Sequence, residues 1–113
     1  LRAWVNGILL WSNITGMYGE QLPFDPEDIN CRPGNSSYKC FLSGDQRTNI
    51  NMPLASMHLL WLREHNRLSK ELKEKHPDWN DEKLYQEARL IVIAVHQCIT
   101  YKEWLPLVVN TFF

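Results

Sequence analysis

Few side chains in this sequence stand in patterns that could do chemistry. The four histidines, His58, His65, His76 and His96, are the obvious bases and metal ligands, since imidazole titrates near neutrality and binds transition metals. None pairs with a cysteine or carboxylate at the spacing of a zinc site. Glu64 directly precedes His65, but the H-E-x-x-H helix of a metalloprotease is absent. His65 falls at helical spacing among apolar residues, where a histidine is ordinarily a hydrogen-bonded core residue. No glycine-rich phosphate loop and no nucleophile elbow occur. The remaining candidate is Arg47, in the run Gly44-Asp45-Gln46-Arg47. A guanidinium stays charged and presents a planar fork of donors, so it can stabilise negative charge that develops during a reaction. On composition alone, Arg47 is an exposed turn arginine.

The rest of the chain bounds what such an arginine could serve. Its 113 residues make one small domain at most. Twelve Lys and Arg stand against thirteen Asp and Glu, so the basic excess expected of a nucleic-acid or anionic-membrane partner is missing. The longest apolar run, Leu90 to Val95, is far below the roughly 20 residues that span a bilayer. Five tryptophans need more burial than a chain this size provides. With a first residue other than Met, this suggests an internal piece of something longer. Cys31 and Cys40 bracket the polar, turn-rich RPGNSSYK, the kind of loop a local disulfide closes. Asn13 and Asn35 begin Asn-x-Ser/Thr glycosylation triplets. An acceptor inside a cysteine-bounded loop points to an oxidising compartment. Cys98, in an apolar helical stretch, reads as a buried free thiol.

Two helices must position Arg47. Residues 1–43 are punctuated by glycine and proline and read as irregular. The first helix is expected at about 56–75, with Ser56 as N-cap and Trp61, His65, Leu68 and Leu72 on one face. It should stop before His76-Pro77, because the residue before proline disfavours the helical region. The second is expected at about 81–104, capped by Asn80 or Asp81 and bounded by Pro106. Leu84, Ala88, Ile91, Val95 and Ile99 form its stripe. Leu90–Val95 is apolar all round and should be enclosed by protein on every side. The fold class is therefore mostly α, two antiparallel helices preceded by an irregular loop.

Several blocks together resemble the animal haem peroxidases. FLSGDQR (41–47) is similar to the segment bearing that family's distal arginine. SMHLLWLREHNRL (56–68) resembles its most recognisable helix, with REHNRL intact. LYQEAR (84–89) and ITYKEWLP (99–106) resemble two further blocks, in the right order and at the right intervals. LPFDP and the paired cysteines are weaker family features. The resemblance covers residues 20 to 109.

The resemblance implies that the chain is an internal fragment of one catalytic domain. The whole would be a secreted, extracellular, mostly helical enzyme that uses hydrogen peroxide to oxidise a small reducing donor. It would carry haem b and, outside this segment, calcium. Arg47 matches the distal arginine; no histidine here matches either haem-flanking histidine. Many relatives place an ester-forming glutamate three residues after that arginine. Ile50 stands there and cannot form an ester, which favours simple peroxidase activity over halide oxidation. Other readings are a non-catalytic adhesion or matrix protein with the peroxidase fold, and a haem-dependent fatty-acid dioxygenase.

Overall fold

A computed structural model describes residues 2–3, 5–13, 19–25 and 40–109, with only the backbone of Asn13. A hairpin opens it. Val5-Asn6-Gly7-Ile8 is a tight turn in which the Ile8 N–H bonds the Val5 carbonyl at 3.0 Å. Asn6 and Gly7 both have positive φ, 50° and 72°, the mirror-image turn that Asn-Gly favours. Its arms close through an antiparallel bridge between Arg2 and Leu9. Two short strands follow, β1 (Ser12–Asn13) and β2 (Glu20–Gln21), paired antiparallel. Among the described residues of 1–43, this is more order than glycine and proline content alone suggested.

The first helix, α1, spans Met52–Lys75. It begins four residues before the expected Ser56. Asn51 is the cap, its side chain accepting from the Leu54 N–H at 2.9 Å, with Pro53 in the first turn, where no N–H is needed. Ser56 instead donates to the Met52 carbonyl within the helix. The end at Lys75, with His76 as cap, is as expected. Of the proposed face only His65 is buried; Trp61, Leu68 and Leu72 are half-buried, while Leu62, Asn66 and Ser69 are buried with it.

The second helix, α2, spans Asp81–Cys98 with Asn80 as cap. It folds back along α1, as ring contacts of Trp61 with His96 and of His65 with Tyr85 show. Lys73 ties the link by donating to the carbonyls of Pro77 and Trp79. Pro106 does not bound the helical segment. A π-turn, Ile99–Trp104, leads into α3, Leu105–Val109. The Leu105 N–H bonds the Thr100 carbonyl five residues back, and this wider spacing receives a proline ring that would collide in a regular helix. Leu84 and Ala88 are fully buried, but Leu90, Ile91, Ile93, Val95 and Ile99 are exposed. So is Cys98, which is free; its expected burial would need neighbours that the described residues do not supply. No helix among the described residues is long and apolar enough to cross a membrane.

The hairpin holds the two helices together at one residue, Gly7. The Gly7 N–H donates to Asp81 Oδ1 at 2.7 Å, and its carbonyl accepts from His65 Nε2 at 2.9 Å and from the Ser69 hydroxyl at 3.0 Å. A Cβ on Gly7 would lie 2.5 Å from the Tyr85 backbone nitrogen and 2.7 Å from the Leu84 carbonyl carbon. Gly7→Ala should therefore lower the melting temperature of the protein containing this chain. The left-handed backbone alone costs an alanine about 1–2 kcal/mol, and the collision with α2 adds to it. An unchanged melt followed by circular dichroism would show that the hairpin does not dock here.

Candidate functional site

Arg47 sits on a single 3-10 turn, Gln46–Asn49, immediately before α1. Asp45 caps the turn, its Oδ1 accepting the Arg47 backbone N–H at 2.8 Å. Aspartate suits this place because its short side chain reaches the backbone two residues on. The same carboxylate takes the Arg47 side chain in a fork, Nε to Oδ1 at 3.0 Å and Nη2 to Oδ2 at 2.8 Å. These bonds hold the Asp45 carboxyl well below the usual carboxylate range. They raise the guanidinium in turn.

Beneath the turn lies a polar support. Thr48 is fully buried and its hydroxyl donates to the Asp45 carbonyl at 2.8 Å. It also contacts the Ser43 hydroxyl. Asn49 binds the Phe41 backbone twice, accepting its N–H at 3.0 Å and donating to its carbonyl at 2.8 Å. Phe41 in turn pairs with Phe24 through an antiparallel bridge and stacked rings. Cys40, next along, is disulfide-bonded and accepts from the Asp25 N–H at 2.9 Å. The turn is thus fixed from below, while its outer side is open. The Arg47 side chain is 75% exposed and Ile50 is 63% exposed. Ile50 caps the turn, three residues after Arg47.

The other residues singled out by sequence are not all gathered here. Cys31 and Asn35 lie outside the described residues, and Asn13 is described only as backbone in β1. The conspicuous REHNRL run is not a reactive cluster. Its inward members, His65 and Asn66, hold backbone: Asn66 accepts from the Leu9 N–H at 2.8 Å and donates to the Glu20 carboxylate at 3.0 Å. Its outward members pair on the surface, Arg67 bridging Glu64 and Glu71. Asp45, Ser43, Thr48 and Asn49 escaped the sequence reading. Asp45 and Asn49 carried a signal, since Asp and Asn so often bond nearby backbone in turns. Among the described residues, no three His, Cys, Asp or Glu side chains converge as a metal site.

The open face of the turn presents the remaining N–H donors of Arg47 to solvent. Comparisons with known proteins give the chain its relatives. The family described as animal haem peroxidase matches residues 1–112. Myeloperoxidase of Mus musculus is 53% identical over 92 residues, which cover 79% of this chain and 13% of that protein. Peroxidasin of Drosophila melanogaster is 46% identical over 95 residues, covering 80% and 6%. The solved structure of peroxidase A from Dictyostelium discoideum superimposes with a TM-score of 0.76 at 31% identity, covering 94% of this chain and 21% of that one. The chain thus spans about an eighth or less of the length of these curated relatives.

His65 gives the architecture a pH dependence. Burial lowers its pKa, and the positive charge of Arg2 acts in the same direction, against the Gly7 hydrogen bond. The unfolded chain then binds the proton more readily than the folded one, so folding loses stability as protons are added. The contribution should be complete above about pH 6.5, the ordinary histidine value, and be lost as pH falls through the lowered folded value. Denaturant titrations between pH 7.5 and pH 5 (values chosen about the ordinary histidine range) should show the midpoint falling, and falling less in His65→Gln. Equal slopes in both proteins would refute this.

Proposed function

The chain belongs to the animal haem peroxidase family, and from that premise we propose that it is part of a larger catalytic domain that uses hydrogen peroxide to oxidise small donors. The observation that carries this reading is Arg47, charged, exposed and held on a braced turn beside Ile50. Arg47 is the distal-pocket arginine, and Ile50 lies against the haem.

Haem, when bound, supplies the redox chemistry, and the protein orients and tunes it. Arg47 directs N–H donors at the oxygen that leaves with negative charge when the peroxide O–O bond breaks. It does so without giving up its own proton. Proton movement between the peroxide oxygens needs a titrating base, which in this reading is a histidine outside the chain. His65 is committed to Gly7, and nothing brings it to the Arg47 turn. Calcium, too, is bound elsewhere in the domain. The exposed apolar residues of α2, the π-turn and α3, among them Leu90, Tyr101, Trp104 and Leu107, are the faces that the rest of the domain covers.

The protein is secreted in this reading, and Cys40 pairs with Cys31 across a loop carrying a glycosylation site at Asn35; Asn13 is a second. The disulfide at Cys40 supports an oxidising compartment. Retention of Arg47 favours the enzyme over a non-catalytic matrix protein, which has no use for it.

Arg47→Ala in the haem-loaded protein should slow its reaction with hydrogen peroxide by about 10²–10³-fold, the typical loss of one preorganised donor, with haem still bound. Stopped-flow absorbance measures this, and an unchanged rate would make Arg47 a surface residue.

Ile50→Glu should place a carboxylate where relatives carry their ester. After turnover with peroxide, mass spectrometry should find haem covalently attached to the peptide around residue 50 in the variant and not in the wild type. No attachment in a well-folded variant would put Ile50 away from the haem.

A further inference from the structure

Asp45 has two separable roles in the turn. Its bond to the Arg47 backbone N–H is an ordinary cap. Its bonds to Nε and Nη2 are not needed for the turn at all. They act on the side chain, which without them would be a long, flexible arm on an open surface. Among the described residues, Asp45 is the one ion-pair partner of Arg47.

The fork also decides which N–H groups remain. A guanidinium has five donors. Asp45 takes one at Nε and one at Nη2, so both N–H groups of Nη1 and one of Nη2 are left. The consumed edge fixes the plane and direction of the free edge. Thr48 and Ser43 reinforce this by holding the Asp45 backbone: both hydroxyls donate to its carbonyl, each at 2.8 Å.

We propose that Asp45 is the positioning residue of the site, locking one edge of the Arg47 guanidinium so that its free edge meets the peroxide in a fixed orientation. This rests on the assignment of Arg47 to the distal pocket. Asp45 touches no reactant itself; it acts through Arg47. Its carboxylate also offsets the positive charge, so Arg47 works by directed N–H bonds more than as a free cation.

Asp45→Asn separates the two roles. Asparagine is as good a cap as aspartate and can still accept the Arg47 N–H. Its amide NH2 replaces one carboxylate oxygen, so a donor faces the guanidinium where an acceptor stood, and the charge is gone. The experiment compares wild type, Asp45→Asn, Arg47→Ala and the double variant in the haem-loaded protein. Three quantities are measured: the stopped-flow rate with hydrogen peroxide, the dissociation constant of cyanide by absorbance, and the thermal melt.

Asp45→Asn should slow the peroxide reaction roughly ten- to a hundredfold, as misdirection of a catalytic group does, and weaken cyanide, with the melt unchanged. In the Arg47→Ala background the same substitution should change neither rate nor cyanide affinity. An effect of equal size in both backgrounds would overturn the proposal, because Asp45 would then not act through Arg47. So would a slow Arg47→Ala beside an unaffected Asp45→Asn, which leaves the distal-arginine assignment standing. If Arg47→Ala is itself unaffected, that assignment falls and the proposal falls with it.

Discussion

The structure depends on one residue, Gly7, whose N–H and C=O three side chains from two helices grip at once. The Gly7 N–H is held by Asp81 from the start of α2, and its carbonyl by His65 and Ser69 from the middle of α1. The two bonds to the carbonyl are buried and the bond to the N–H is partly so, so an unmade one at the carbonyl would leave a buried polar group unsatisfied. The grip works only because Gly7 lacks a Cβ and its backbone can lie directly on that of α2. Arg2 closes the arrangement, reaching Asp81 and Glu82 while its guanidinium lies over the Tyr85 ring, 4.1 Å from the centroid. The helix pair is therefore joined mainly by buried polar contacts and a small apolar centre at Leu62, Leu84 and Ala88.

Much of this was legible in the sequence, and the remainder was hidden for identifiable reasons. Helical period and the His76-Pro77 pair located α1 and its end. Family resemblance picked out Arg47, which no local pattern distinguishes from an ordinary turn arginine. The start of α1 was misplaced because Ser56 and Asn51 are both good caps, and local preference does not choose between them. The expected stripe through Trp61, Leu68 and Leu72 is only half-buried, because periodicity shows which face seeks a partner and not whether that partner lies in the same chain. The Asn6-Gly7 dipeptide did carry a hairpin signal, but its docking on residues 58 to 74 positions away is a tertiary fact that no local window contains.

The division of labour around Arg47 follows from the same logic. The residues that make the turn rigid are short and polar, and they spend their hydrogen bonds on nearby backbone. Arg47 and Ile50 are exposed, and the Arg47 side chain is held by its bonds to Asp45 rather than by burial. A site built this way can keep its geometry while its outer surface remains open. The REHNRL run plays the complementary part: it anchors the upstream loop to α1 and leaves the chemistry to the turn.

The π-turn at Ile99–Trp104 has a consequence for how the chain tolerates change in length. A turn closed five residues back holds one residue more than the helical norm. Every side chain beyond it is therefore rotated by about 100°, the angular step of one residue at 3.6 per turn. The stripe running through Leu84, Ala88, Ile91, Val95 and Ile99 does not continue in phase into Leu105–Val109, which presents its apolar residues in a new direction. Loss of a single residue between positions 99 and 104 would restore the regular spacing. It would also swing the last segment around the helix axis and bring Pro106 against the carbonyl it now avoids. Sequence length in this six-residue stretch is for that reason constrained more tightly than its exposed side chains suggest.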